Sequence, residues 1–285
     1  MSKSFFNLYI PVSSEEESEM YIGLLNAISN FESVLEEENQ LTVSYRIADQ
    51  DQKELEQAIS EMGLIASYTI EEVEDKNWNE VFEKSFQPLE ILNGKWGIRA
   101  SFHPPLDCEN EIIIDPKMSF GTGHHETTKS VMTLLSQENF EGKDVFDYGS
   151  GTGILAIMAK KMGAKNVWAN DNEEWAYKNS IENATINNVA SIQFFEGDLD
   201  EAKKAGFLDF EHQKMDIIIA NITKNILLAS VEALAKLSKS GSIMYLSGFY
   251  EADMQDLENA YGTIGYQKSD YIVENNWTAM KLIKN

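Results

Sequence analysis

Apolar residues along the first seventy positions switch between a spacing of two and a spacing of three to four, and the switches mark out structural elements. Phe5–Val12 alternates as a strand. Ser13 or Ser14 is placed to cap a helix whose apolar side carries Met20, Leu24, Leu25 and Ile28. Two short extended stretches follow, Phe31–Leu35 and Leu41–Ala48. Asp51–Met62 then returns to helical spacing, with Leu55, Ile59 and Met62 on one face; Gly63 stops it and Leu64–Val73 reads as a strand. The order βαββαβ predicts a small α+β domain of the ferredoxin-like split βαβ kind.

In Asp75–Phe86 the apolar positions Trp78, Val81, Phe82 and Phe86 predict a connecting helix that ends before Pro88. Trp96–Ser101 and Glu111–Asp115 read as a β-ribbon. From Gly121 onward short apolar runs alternate with amphipathic stretches. The strands are Val145–Tyr148, Asn166–Asn170, Ile192–Phe195, Asp216–Ala220 and Ser242–Leu246. The helices between them are Ile154–Met162, Glu173–Asn187 and Lys224–Ser238. Such alternation predicts a parallel, Rossmann-like α/β sheet covered on both faces. Gln267–Val273 and Thr278–Ile283, joined by Glu274-Asn275-Asn276-Trp277, predict an antiparallel hairpin at one sheet edge. The expected organisation is a ferredoxin-like domain over 1–75, a linker helix over 76–90 and an α/β domain over 91–285.

Composition changes this picture in two ways. The net charge of −24 argues against a phosphate-binding surface, because DNA recognition is driven by Lys and Arg. The acid is also uneven. Residues 1–85 hold 19 acidic and five basic side chains, a net of −14, and the remaining 200 hold 28 and 18, a net of −10. An acidic surface keeps a protein soluble, and a field of this sign also steers a basic partner toward the first domain. Cys108 is the only cysteine, so neither an intrachain disulfide nor a thiolate zinc cluster can form. No run approaches the ~18 apolar residues that span a bilayer, and Met1-Ser2-Lys3-Ser4 runs into a strand without the apolar core of a secretory signal. A cytoplasmic monomer without membrane contact is expected.

The strongest chemical signal is Val145-Phe146-Asp147-Tyr148-Gly149-Ser150-Gly151-Thr152-Gly153-Ile154. An apolar strand ends in an acid, enters a three-glycine turn and opens a helix. Glycines let a ligand approach the main chain closely. The dinucleotide pattern G-x-G-x-x-G does not fit, because Ile154 stands where its third glycine belongs, and no P-loop lysine follows. Asp171 closes the next strand 22 positions after Gly149. A carboxylate there can accept two ribose hydroxyls or cap the helix after it. A third strand ends in Glu196-Gly197-Asp198, a second candidate acid. His124, His125 and Glu126 stand together, but adjacent side chains diverge and no third ligand is spaced for a metal, so none is expected. Asn221 follows the fourth buried strand, a further candidate polar residue at a strand end.

The D-x-G-x-G-x-G run resembles the first motif of class I S-adenosylmethionine-dependent methyltransferases. With Met118-Ser119-Phe120-Gly121-Thr122-Gly123-His124-His125-Glu126-Thr127-Thr128 and Ile219-Ala220-Asn221-Ile222 it resembles the signature set of the ribosomal protein L11 methyltransferases. The resemblance covers most of the chain, from the Asn77-Trp78 to Phe86-Gln87-Pro88 linker onward by motif and before residue 75 by architecture. It implies S-adenosylmethionine bound at Thr128, Gly149, Asp171 and Asn221. The loop Phe120–His124, with Gly123, is implied to lie over the cofactor, and Asp147, Gly151 and Asp198 to belong to the same site. It implies Asn221 as the catalytic residue and the α-amine and lysine ε-amines of ribosomal protein L11 as acceptors. Many relatives carry a second acid after Asp171, where this chain has Asn172. Base-modifying enzymes often carry N-P-P-Y where this chain has Asn221-Ile222-Thr223-Lys224, which leaves another protein, a nucleic acid or a small amine as the less favoured acceptor.

Overall fold

The computed structural model describes residues 5–29, 31, 33–37, 39–46, 50–62, 67–73, 87–115 and 121–285. The chain divides into two compact units, Met1–Phe86 and Gln87–Asn285. The expected linker helix lies outside the described residues, apart from its last positions 87–90.

The first unit has the order β1 (Phe5–Pro11), α1 (Glu15–Ile28), β2 (Ser33–Glu37), β3 (Gln40–Arg46), α2 (Gln52–Met62), β4 (Thr69–Val73). Its strands lie in the order β2-β3-β1-β4, each pair antiparallel. Phe6, Leu8, Ile10, Leu25, Leu41, Val43, Tyr45, Leu55 and Ile59 fill its core. Ser14 caps α1 by accepting from Glu17 N at 3.2 Å, and the Glu17 carboxylate accepts from Ser13 N at 2.8 Å. The helix is rotated from the expected setting. It buries Ser18, Tyr21 and Leu25, leaving Met20 about half exposed. Small Ser18 lets the helix approach, and the Tyr21 hydroxyl is satisfied by Glu17 Oε1 at 2.9 Å.

The second unit opens with β5 (Leu89–Ile91), β6 (Trp96–Arg99) and β7 (Asn110–Ile113). The expected ribbon is corrected here: β5 and β6 are antiparallel, but β6 and β7 run parallel. The return segment folds around one guanidinium. Arg99 donates to both carboxylate oxygens of Glu111 at 2.8 and 2.9 Å, and to the carbonyls of Ala100 and His103.

The remaining elements are α3 (Glu126–Leu135), β8 (Asp144–Tyr148), α4 (Ile154–Lys161), β9 (Asn166–Asp171), α5 (Glu174–Ile186), β10 (Gln193–Glu196), α6 (Leu199–Lys204), β11 (Met215–Asn221), α7 (Lys224–Ala229), α8 (Val231–Lys236), β12 (Ser238–Tyr250), α9 (Met254–Gly262), β13 (Tyr266–Glu274) and β14 (Trp277–Lys284). They build a seven-stranded sheet in the order β10-β9-β8-β11-β12-β14-β13. The first five strands are parallel and β14 is antiparallel to both its neighbours. Strand alternation divides the core. Val145, Val167, Ile217 and Ile219 pack with α3 and α4, while Phe146, Ile218, Ala220 and Met244 face α6 to α9. Each fully buried Ile or Val contributes ~1.5–3 kcal/mol.

The expected single helix over 224–238 is broken at Ser230, whose hydroxyl donates back to Ile226 O at 2.8 Å. Such back-bonding competes with the helical ladder and bends the chain. Along α5 and at its C-cap, Asn179, Asn183 and Asn187 form a buried column at four-residue spacing. Asn187 pairs with both Ile113 N (3.0 Å) and Ile113 O (2.6 Å), acting as a one-residue neighbour to the β7 edge. Asn183 reaches both Asp115 N and Thr152 O at 3.0 Å, so it ties β7 to the glycine turn.

Candidate active site

The glycine turn stands at the carboxyl end of β8, in the centre of the sheet. Its first two amides, Gly149 N and Ser150 N, both donate to Asn170 O at 3.0 and 2.9 Å. Asp171 secures the middle: one carboxylate oxygen accepts from Gly151 N at 2.8 Å and the other from Glu173 N at 3.0 Å. Thr152 donates its hydroxyl to Gly121 O, which ties the turn to the segment before α3. Gly149 has φ +73°, and a Cβ built there would come within 2.3 Å of Ile222 Cγ2. Gly248 has φ +91°, and a Cβ there would meet Ile222 O at 2.4 Å. The register of β12 against β14 shifts between Ser247 and Phe249, so Gly248 is a bulge into which the Ile222 backbone fits.

Asp147 lies beneath the turn and is completely buried, with Oδ2 accepting from Ala156 N at 3.0 Å. Burial pushes its pKa up to about 7; the bond from Ala156 opposes this and the charge of Asp171 adds to it. Its role is therefore to hold the start of α4 from below.

A cavity of about 340 Å³ opens above the turn. Thr128, Gly149, Gly151, Asp171 and Asn221 line it, which gathers five of the residues expected from sequence around one cavity. Thr128 sits in the first turn of α3, fully buried, and its hydroxyl accepts from Asn221 Nδ2 at 3.3 Å. Asn221 Oδ1 is buried and has no hydrogen-bond partner. A buried unpaired carbonyl costs ~1–3 kcal/mol, and at a cavity wall it is able to accept from a donor that enters.

The other expected residues lie elsewhere. Gly123, His124, Asp147 and Asp198 are not in the cavity wall. His124 Nε2 is 2.8 Å from Gln87 O, and its Nδ1 is 3.3 Å from Thr122 Oγ1. Asp198 caps α6, accepting from Glu201 N at 2.8 Å while Glu201 accepts from Asp198 N at 3.0 Å. Phe120 lies outside the described residues. Sequence reasoning missed His125, Trp175, Ile226 and Trp277, all of which line the cavity. His125 caps α3 by accepting from Thr127 N, and its ring packs edge-on to Trp277 at 5.0 Å. The hairpin tip that carries Trp277 is pinned by Asn275 Nδ2 donating to Glu126 Oε1 at 3.0 Å. Among the described residues no group of three or more His, Cys, Asp or Glu side chains is gathered as for a metal. No helix among them is long and apolar enough to cross a membrane.

A central glycine turn, an acid closing the next strand, and five parallel strands completed by an antiparallel hairpin define a class I methyltransferase. Residues 12–285 match the family described as Ribosomal protein L11 methyltransferase (PrmA). The chain is 40% identical over 218 residues to the ribosomal protein L11 methyltransferase of Phocaeicola vulgatus, covering 76% of this chain and 75% of that one. It is 37% identical to that of Bacteroides thetaiotaomicron over 258 residues, 89% of both chains. A crystal structure of ribosomal protein L11 methylase from Lactobacillus delbrueckii subsp. bulgaricus is 26% identical with a TM-score of 0.59, over 67% of this chain and 95% of that one. The chain belongs to the ribosomal protein L11 methyltransferase family.

Proposed function

We propose that this chain transfers methyl groups from S-adenosylmethionine to amino groups of ribosomal protein L11, both the N-terminal α-amine and lysine ε-amines. The observation that carries the reading, beside membership of the family, is the unpaired Asn221 Oδ1 in the same cavity wall as Gly149, Gly151 and Asp171. The residues present fit the cofactor. Gly149 and Gly151 bring main chain without side chains to the cavity lining, which suits the methionyl part. Asp171 keeps lone pairs beyond the two amides it accepts from, and these suit the ribose hydroxyls. Thr128 and Asn221 close the opposite end.

When bound, the sulfonium supplies an activated methyl group, so the protein needs only to bind, align and desolvate. Well-oriented reactants gain ~7–11 kcal/mol over free encounter. Asn221 Oδ1 accepts an N–H of the incoming amine and so directs its lone pair toward the methyl. Thr128 fixes the carboxamide by accepting from Nδ2, which leaves the oxygen as the free end. An α-amine with a pKa of about 7.7–8.0 is often neutral at physiological pH, whereas a lysine amine near 10.4 must first release a proton to water.

The division of labour belongs to the same reading, with residues 1–75 as the recognition domain, 76–90 as the linker and 91–285 as the catalytic domain. The strand order β2-β3-β1-β4 with two helices supports a ferredoxin-like first domain. Its acidic excess suits a basic ribosomal protein. The test is transfer of labelled methyl from S-adenosylmethionine to purified L11, with mass spectrometry of the product. Labelled amines on L11 are expected; labelled RNA and unlabelled L11 in a whole-ribosome digest would overturn the reading.

A further inference from the structure

The cavity has two ends of different character. Asp171 and Glu173, the carboxylates in its wall, both belong to the corner between β9 and α5. The other end, where β11 finishes and β14 begins, contributes Asn221, His125 and Trp277 to the described lining; the nearby Glu126 carboxylate is engaged by Asn275 Nδ2 at 3.0 Å and does not line the cavity. Trp277 does not stand alone. The Tyr250 ring lies 4.2 Å from its centroid at an interplanar angle of 31°, and Tyr250 is about half exposed at the rim. Strand register fixes where this pair stands. Asn221 pairs with Ser247, which pairs with Ala279, so Trp277 and Tyr250 project beyond that row, past the Gly248 bulge. The pinned hairpin tip and the packing on His125 hold the indole in place.

We propose that the Trp277 indole, backed by Tyr250, is the seat of the acceptor amine and takes up the positive charge that its nitrogen gains during transfer. The proposal rests on the reading of this cavity as the methyl-transfer site. As the nitrogen lone pair forms the new N–C bond, the C–S bond breaks and its electron pair returns to sulfur. Positive charge passes to nitrogen, and the resulting ammonium then gives up a proton to water. A carboxylate beside the amine would stabilise the protonated, unreactive ground state. An aromatic surface attracts a cation and scarcely holds a neutral amine, so its benefit grows as the transition state forms. Asn221 and Trp277 thus have separate tasks: the carboxamide aims the lone pair, and the ring accommodates the charge.

The test uses the full chain with Trp277→Leu, Trp277→Phe and Tyr250→Ala. Steady-state methylation of L11 is read alongside calorimetric affinities for S-adenosylmethionine and S-adenosylhomocysteine. Trp277→Leu should lower kcat/KM for L11 by about tenfold or more while both affinities stay unchanged. Trp277→Phe should recover most of the loss, and Tyr250→Ala should fall between. Should the Leu variant fail to fold, Tyr250→Ala, at a half-exposed position, carries the test. Wild-type kcat/KM in Trp277→Leu would overturn the proposal, as would a Phe variant no better than Leu. A loss of affinity for S-adenosylmethionine alone would also overturn it, since the ring would then face the sulfonium. Failure of the unmodified protein to bind S-adenosylmethionine would count against the proposed function itself.

Discussion

Replacing Asn221 by Ala should separate activity from stability. In the ligand-free protein the carboxamide makes one bond, from Nδ2 to Thr128 Oγ1 at 3.3 Å, and leaves Oδ1 buried without a partner. Losing a bond of that length removes about 0.5–1 kcal/mol, while removing an unsatisfied buried acceptor returns a similar amount or more. The two effects oppose each other, so net stability should change by less than ~1 kcal/mol. For a unit of this size that is within about 2–4 °C in Tm. Methyl transfer should behave differently. An amine displaced by ~1 Å from the line of attack reacts roughly a hundredfold more slowly, and Ser150 Oγ, the other buried unpartnered polar atom that the described cavity lining offers, stands in the glycine turn rather than beside Thr128. Differential scanning fluorimetry on the ligand-free protein and single-turnover methylation of L11 give the two numbers. A wild-type rate would remove Asn221 from the chemistry. A fall in Tm of 10 °C or more would make it a structural residue whose orphan oxygen is incidental.

Asp171→Ala should weaken S-adenosylmethionine by about a hundredfold in calorimetry, because two ribose hydroxyls lose a charged acceptor at ~1.5 kcal/mol each and Gly151 N loses its anchor; unchanged affinity would move the ribose elsewhere. Asp147 has a folded-state pKa of about 7 against 3.8 ordinarily, so it favours the folded state fully below about pH 4, and this advantage is lost as pH rises through about 7. Asp147→Asn, which keeps an oxygen for Ala156 N, should match the wild type near pH 4 and exceed its Tm at pH 8; parallel Tm profiles from pH 4 to 8 would contradict the raised pKa. Removing residues 1–86 should leave S-adenosylmethionine binding nearly intact, given the separate core of the second unit, and abolish L11 methylation. Raising salt from 0.05 to 0.5 M should weaken L11 binding to the full chain, since exposed charges are screened beyond about 8 Å at 0.15 M, and salt-independent binding would speak against the acidic unit as its partner.

The parallel sheet and its closing hairpin were legible because their strands are short apolar runs and the Asn275-Asn276 turn tolerates positive φ, here +49° and +66°. Asp171 and Asn221 were legible because each ends a buried strand, and strand ends are fixed points of this architecture. Trp277 was not: an aromatic beside a hairpin turn reads as ordinary edge packing until the bulge at Gly248 and the grip of Asn275 on Glu126 set its position. The asparagine column of α5 was hidden for a related reason, since polar residues at four-residue spacing read as a solvated face. The parallel pairing of β6 and β7 depends on how Arg99 gathers the carbonyls of Ala100 and His103 together with the carboxylate of Glu111, a closure that the apolar pattern does not encode. His124 and Asp198 sit in motifs that the family resemblance assigns to the cofactor, yet here Gln87 O and Glu201 N occupy the two side chains.

Ile222 is hemmed in by two glycines from different parts of the chain, with its side chain against Gly149 and its backbone against Gly248. The three positions therefore cannot drift independently over evolutionary time. A side chain gained at 149 demands a smaller residue at 222, and a smaller residue at 222 loosens the ceiling of the turn. No substitution at 222 compensates for one at 248, because there the obstacle is main chain. Saturation mutagenesis should accordingly show epistasis between 149 and 222, and intolerance at 248 whatever stands at the other two.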